Sequence, residues 1–273
     1  MLTSFWRNLN GESRWGLGIL LTILLLGILI PRLSPFDPLR NAGDEFLRPG
    51  WPYLFGTDQL GRDVFTRTFA AVQLDLVLAL IGVSVPLAIG TLLGGILGTT
   101  RNPVVAGIWL ILIDAINAFP FIVIVIALVA VFGAGAQGLL LGLALVNWAR
   151  YARIARARAL TLREADFIQV TQVLGYSRLR VLWHHILPNV YAETLAYGLS
   201  DFVIVIIAIA GLSFLGVGVR PPEPEWGAMM SDGRSFLLRA GWITVFPGLI
   251  LSVTAIGIAL LAQGLVGRAQ GEE

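Results

Sequence analysis

"QLDLVLALIGVSVPLAIGTLLGGILGT", residues 73–99, holds a single ionisable side chain, Asp75. The hydrocarbon core of a bilayer takes about 20 predominantly apolar helical residues, so this stretch is long enough to cross one. Gly90, Gly94 and Gly98 recur every four residues and leave bare backbone along one face, where a second helix can approach closely. Pro86 lacks the N–H that the Gly82 carbonyl would accept from, so a kink is expected there.

Working outward, five further runs have the same character: 15–33, 105–131, 137–155, 191–212 and 242–264. The first is followed by no small-residue cleavage site and reads as a retained span rather than a signal peptide. Composition agrees: the 273 residues are 56% hydrophobic and 13% charged, with mean hydropathy +0.81, against about 45–50% apolar and about 25% charged in a soluble domain. Cysteine is absent, which excludes disulfides and thiolate chemistry. All 19 basic residues are arginine, which excludes a P-loop lysine, a Schiff base and a Ser/Lys dyad. The chain is therefore expected to hydrolyse no ATP itself.

The net charge of +2 is small, and its distribution is more informative. Arg150, Arg153, Arg156, Arg158, Arg163, Arg178 and Arg180 crowd around one loop, 156–190, which the positive-inside rule places in the cytoplasm. Six spans then put both termini, 1–14 and 265–273, on that side and leave 34–72 and 213–241 outside.

Polar residues inside the spans are candidates for a pathway. "DAINAFPF", residues 114–121, carries Asp114 and Asn117 on one face and Pro120 one turn later. A mid-bilayer Asp costs about 2.5–3.5 kcal/mol, which some 17 Leu, Ile, Val and Phe residues of this span outweigh at about −0.3 to −0.6 each. The carboxylate is expected to face protein or water, either as an interhelical hydrogen bond or as a gate. Asn147 and Asp201 are similar cases in the fourth and fifth spans, while Asp75, Asn189 and Glu193 lie near span ends.

The central loop reads as two short helices around a hinge. Leu160, Phe167, Ile168, Thr171 and Leu174 form one helical stripe. Gly175 is a natural left-handed cap and Ser177 an N-cap. Leu179, Leu182, Trp183 and Ile186 form a second stripe, expected to stop before Pro188. An interfacial helix pair on anionic lipid would share these features. His184 and His185 are adjacent, so they point to different faces and do not make a metal pair.

"DFIQVTQVLGYSRLRVLWHHILPN" resembles the cytoplasmic coupling loop of ATP-binding-cassette importer permeases: E-A-A, three residues, Gly, nine residues, I-x-L-P. Gly175, Leu187 and Pro188 match, while the E-A-A positions are Gln169, Val170 and Thr171 and the isoleucine position is His185. "FGTDQLGRDVFTR" (55–67), "FPF" (119–121), "WARYARIARARAL" (148–160), "GLSFLGVGVRPPEPEWGAMM" (211–230) and "FPGL" (246–249) extend the resemblance across residues 55 to 268. Together they are similar to the C-type subunit of the dipeptide, oligopeptide and nickel permease family.

That resemblance implies an all-α membrane protein with the six-helix type I importer permease fold, its core domain at 73–265. It implies a homologous B-type permease as partner, two ATPases carrying the ATP and Mg²⁺, an external substrate-binding protein, and a bacterial inner membrane as the location. No nucleic acid, bound metal or cofactor of this chain's own is expected. The coupling loop would act through Asp166, Gln169, Val170, Thr171, Gly175, Arg178, Leu187 and Pro188, transmitting ATPase closure to the spans. The pathway would use Asp114, Asn117, Pro120, Asn147 and Asp201, and Glu223, Glu225 and Trp226 would form an external cap or binding-protein contact. Peptides are the implied cargo, with nickel or other metal chelates and glutathione-like peptides as alternatives. An autonomous channel or proton-coupled carrier would need an intramembrane relay through Asp114, Asn117 and Asp201, but no use for a coupling loop.

Overall fold

Asp63 opens the 36-residue helix Val64–Thr99 by accepting the Thr66 N–H at 2.8 Å and the Thr66 hydroxyl at 2.6 Å. In a computed structural model describing residues 11–100 and 102–269, the helices are α1 (Gly11–Leu33), α2 (Val64–Thr99), α3 (Pro103–Ala118), α4 (Phe121–Phe132) and α5 (Ala136–Arg163). They continue as α6 (Asp166–Val173), α7 (Arg178–Phe214), α8 (Trp226–Gly233) and α9 (Trp242–Ala269). Among the described residues the only β pairing is one bridge, Thr57 to Asp63. Most of the cytoplasmic N-terminus expected at 1–14, and the last four residues, lie outside the described residues.

The glycine stripe of α2 packs as its spacing predicts. A Cβ on Gly90 would meet Tyr151 Cβ at 2.5 Å, one on Gly94 would meet Ala155 Cβ at 2.6 Å, and one on Gly98 would meet Ala159 Cβ at 2.5 Å. These partners advance in step along α5, so α2 and α5 run parallel at backbone contact. α7 runs antiparallel to both: Leu187 lies against Gly95, Leu87 against Gly198 and Val205 against Gly82. The Thr91 hydroxyl donates to that of Thr194 at 2.8 Å between α2 and α7. α1 closes on α9 through Gly16, whose Cβ would meet the Gly257 carbonyl at 2.6 Å.

At 36 residues α2 is about 54 Å long, well beyond a bilayer core. Its first turns carry the folded loop 34–63 and α8, and the Trp226 indole N–H donates to the Thr68 carbonyl at 2.9 Å. The Arg-rich segment lies at the opposite end, where Thr99, Arg163, Ile168 and Tyr176 line one cleft. The two loops expected outside therefore share one end of the molecule and the Arg-rich loop occupies the other.

The chain is a multi-pass membrane protein, and length and composition mark four or five of the six expected spans. α1, α2, α7 and α9 are each long and apolar enough to cross, and α3 with α4 makes a fifth if the bent pair is one span. The expected fourth span lies in α5, whose apolar stretch ends at Arg150, so length and composition alone do not mark it as a span. The third span bends by 97° between α3 and α4. Pro120 has no N–H to donate, and the residue before a proline is pushed out of the helical region; Phe119 is extended at φ −95°, ψ 150°.

Two local expectations are also corrected. The helix over 160–174 is two pieces, because α5 runs through Leu160 to Arg163 and α6 restarts at Asp166. The second helix does not stop before Pro188: α7 continues through it to Phe214. A wide π turn at Leu182–Ile186 precedes the proline, with the Leu187 N–H donating to the Leu182 carbonyl. Asn189 Nδ2 supplies the His185 carbonyl at 2.6 Å. One such bulge re-registers a helix without ending it.

Candidate functional site

Gly175 has φ +76°, a conformation costing other L-residues about 1–2 kcal/mol. Its glycine is required by backbone rather than space, since an added Cβ would meet nothing within 4 Å. Ser177 then caps α7, accepting the Arg180 N–H at 3.3 Å. Arg180 lies 4.5 Å over the Tyr176 ring, and the His185 ring stacks with that of Tyr176 at 6.2 Å between centroids. The hinge between α6 and α7 is thus a fixed turn.

A small apolar core of its own mounts this turn. Ala155, Ala159 and Leu162 of α5 pack with Ile168 of α6 and with Val181, Leu182, Ile186, Leu187 and Val190 of α7. Thr171 is buried beside them, its hydroxyl donating to the Ile168 carbonyl at 2.7 Å. Among the expected coupling residues, Thr171 and Leu187 therefore point inward. Asp166, Gln169, Val170, Arg178 and Pro188 are at the surface. The expected stripe divides: Ile168 and Thr171 face in, while Phe167 and Leu174 face out.

Sequence reasoning missed the outward apolar set. Val173, 88% exposed, joins Phe167, Val170, Leu174, Leu179 and Trp183 in an uncovered patch. The available signal was a surplus of apolar residues over what one buried stripe of a short helix can use. Clefts of about 890 and 590 Å³ flank the element, the first against Asn102, Pro103 and Gly107 of the α2–α3 turn and α3.

The expected pathway residues fall into two places. At the α3–α4 break, Asp114, Asn117 and Pro120 lie toward the open face. Arg153 Nη2 donates to Asp114 Oδ1 at 2.6 Å, with the side chains 55% and 65% exposed. Asn117 turns back on its own helix, its Nδ2 donating to the Ile113 carbonyl at 2.7 Å. Arg150, one turn before Arg153, sits 5.1 Å over the Phe121 ring on the far side of the break. Both arginines were assigned to loop charge by the sequence; the structure aims them at the broken span. Asn147 and Asp201 are instead interior: Asp201 Oδ2 accepts from the Tyr151 hydroxyl at 2.8 Å, and among the described residues both polar atoms of Asn147 lack a protein partner.

The external residues need a correction. Glu225 and Trp226 are 0% exposed, so neither side chain can touch a partner; of the three, only Glu223 reaches the surface. Glu225 caps α8, accepting the Gly227 N–H at 3.0 Å and the Ala228 N–H at 2.6 Å. Burial pushes its carboxyl above the ordinary range. Beneath it, Asp58 and Arg62 pair at 2.7 Å while 4% and 5% exposed, Arg62 reaches Asp232 at 3.7 Å, and Arg67 donates to the Pro38 carbonyl. The motif at 55–67 is the structural clasp of this face. Among the described residues no three His, Asp or Glu side chains group to hold a metal.

Residues 90–270 match the family described as binding-protein-dependent transport system inner membrane component. The chain is 34% identical to the dipeptide transport system permease protein DppC of Alkalihalophilus pseudofirmus, over 92% of this chain and 82% of that one. It is 32% identical to the di/tripeptide transport system permease protein DppC of Pseudomonas aeruginosa, over 97% and 90%. The glutathione transport system permease protein GsiD of Escherichia coli is 34% identical over 96% and 87%.

Proposed function

The chain belongs to the inner-membrane components of binding-protein-dependent transport systems, and from that premise we propose that it forms half of the translocation pathway of an ATP-driven importer of di- and oligopeptides. This family is a transport permease family rather than an enzyme class, and its systems pair the permease with ATPase and binding-protein components. The finer arrangement is our reading. A homologous second permease completes the pathway, two ATPases carry ATP and Mg²⁺, and an external binding protein delivers the cargo. The membrane is the bacterial inner membrane, with both termini and α6 on the cytoplasmic side.

The observation that carries the reading is the continuity of α7. An ATPase seated on Phe167, Val170, Val173, Leu174 and Leu179 would push on a turn clamped between α6 and α7. Because α7 does not end at Pro188, displacement there passes along one helix into the core beside α2 and α5. Moving a gate between 1:99 and 99:1 takes about 5.5 kcal/mol of differential stabilisation, which nucleotide binding by the partners supplies. Asp114 and Arg153, at the α3–α4 break, form the polar lining. The buried Asn147 and Asp201 hold the bundle and move with it.

The relative with 34% identity that transports glutathione favours a second cargo, a glutathione-like peptide, in the same class of importer. Uptake of a labelled dipeptide and of labelled glutathione, in cells with and without the gene for this chain, separates the two. ATP-dependent loss of dipeptide uptake on deletion supports the first reading. Loss of glutathione uptake alone selects the second, and unchanged uptake of both removes the peptide assignment.

A further inference from the structure

Two carboxyl groups that the transport reading leaves unused meet inside the outer end of the molecule. Asp75 of α2 is 1% exposed and Glu225, at the start of α8, is 0% exposed; the two carboxyl groups lie near enough to act on each other. The Trp226 N–H donates to Asp75 Oδ2 at 3.2 Å. Glu225 receives the Gly227 and Ala228 N–H groups, with the Ser213 hydroxyl close by. A direct contact between two carboxyl groups requires a hydrogen, since two carboxylates offer only acceptors.

Among the described residues no cation faces the pair. On α8 and its approach the groups facing the pair are the Trp226, Gly227 and Ala228 amides; on α7 it is Ser213. α9 meets α8 through neutral contacts such as the Thr244 hydroxyl on the Met230 carbonyl. The arginines of this face are committed elsewhere, Arg62 to Asp58 and Asp232, and Arg67 to Asp58 and the Pro38 and Pro222 carbonyls. Like charges this close in a dry site do not both ionise.

We propose that Asp75 and Glu225 hold one proton between them, and that this proton latches the external helix α8 to the membrane helix α2. Two backbone donors at the N-terminus of α8 fix the negative charge on Glu225, so the proton lies on the Asp75 side of the contact. When it leaves, two adjacent anions replace a hydrogen bond and α8 loosens from α2. The device makes the outer cap sensitive to alkaline pH. It concerns the chain's own chemistry and stands whichever cargo is carried.

The sign follows from linkage. An unfolded carboxyl has released its proton above its ordinary range, while the folded pair retains one, so stability falls as pH rises until the pair itself deprotonates, by up to about tenfold in the folding constant per pH unit. The test uses the full chain purified with whatever partners accompany it, as wild type, Asp75→Asn and Glu225→Gln. An amide at either position donates a hydrogen bond without needing the proton. The wild type should show the infrared carbonyl stretch of a protonated carboxylic acid at neutral pH, missing from Asp75→Asn. Its thermal midpoint should fall more steeply than the variant's as pH rises above the ordinary carboxyl range. If Asp75→Asn does not fold, Glu225→Gln takes the same two measurements with the same expected differences. A wild-type spectrum and pH slope identical to those of the folded variant overturn the proposal.

Discussion

Leu187 donates its backbone N–H to the carbonyl of Leu182, five residues back rather than four, and this wide turn carries α7 past Pro188. That turn is the joint between the α6–α7 element and the bundle. Inserting two glycines between Ile186 and Leu187 should leave partner subunits bound while ATP hydrolysis no longer responds to substrate. The check is hydrolysis by the purified complex with and without loaded binding protein. Retained stimulation would show that force travels by another route.

Gly175 supplies the left-handed residue between α6 and α7. Gly175→Val should cost about 1–2 kcal/mol locally and lower transport and stimulated hydrolysis, while Gly175→Asn, a residue that tolerates this conformation, should retain more of both. Since nothing lies within 4 Å of an added Cβ, a Val variant matching wild type in both assays would mean that the turn's geometry is not used.

The α2–α5 contact predicts a steep dependence on size. A Cβ on Gly94 would fall 2.6 Å from Ala155 Cβ and 2.9 Å from Ala152 Cα, both on the backbone-tight face of α5. Gly94→Val should destabilise by about 3 kcal/mol or more, beyond the usual range for overpacking because backbone must move. Gly107→Ala, where a Cβ meets nothing within 4 Å, should leave the thermal midpoint of the purified chain unchanged.

Asp58 and Arg62 are buried together, so removing one strands the other. Arg62→Ala should cost about 3–5 kcal/mol and release loop 34–63 to proteolysis. A fall in midpoint no larger than that of an exposed arginine variant such as Arg40→Ala would contradict the clasp.

The Asp114–Arg153 pair is exposed, and such pairs contribute about 0–1 kcal/mol. Its loss should therefore be read in transport and not in stability. Asp114→Asn should transport better than Asp114→Leu, with midpoints near wild type for both. Equal transport by all three would return the pair to a structural role.

Much of this arrangement is legible in the sequence where the signal is local and periodic. Gly90, Gly94 and Gly98 predict a close helix contact from spacing alone, and Gly175 and Ser177 mark the hinge and the cap. What escapes is set by tertiary surroundings. Pro188 reads as a stop because a proline ends an ordinary helix, and nothing in the residues announces the π turn that lets α7 continue. Glu225 and Trp226 read as surface residues because they follow three prolines in a loop; they are buried because α8 folds back onto Thr68 and Asp75, more than 150 residues away in the chain. Arg153 reads as loop charge, and its partner on α3 lies 39 residues earlier.

The central claim, that the exposed patch on α6 is seated on an ATPase, has a direct test because the chain contains no cysteine. Val173→Cys, the only thiol of the variant chain, would be treated in the intact membrane with a short thiol-reactive photocrosslinker, and the adduct identified by mass spectrometry. The account predicts a crosslink to a nucleotide-binding subunit whose yield changes between nucleotide-free and ATP-bound states. A thiol that reacts freely with a soluble maleimide, and crosslinks only to lipid while the complex remains assembled, would contradict it.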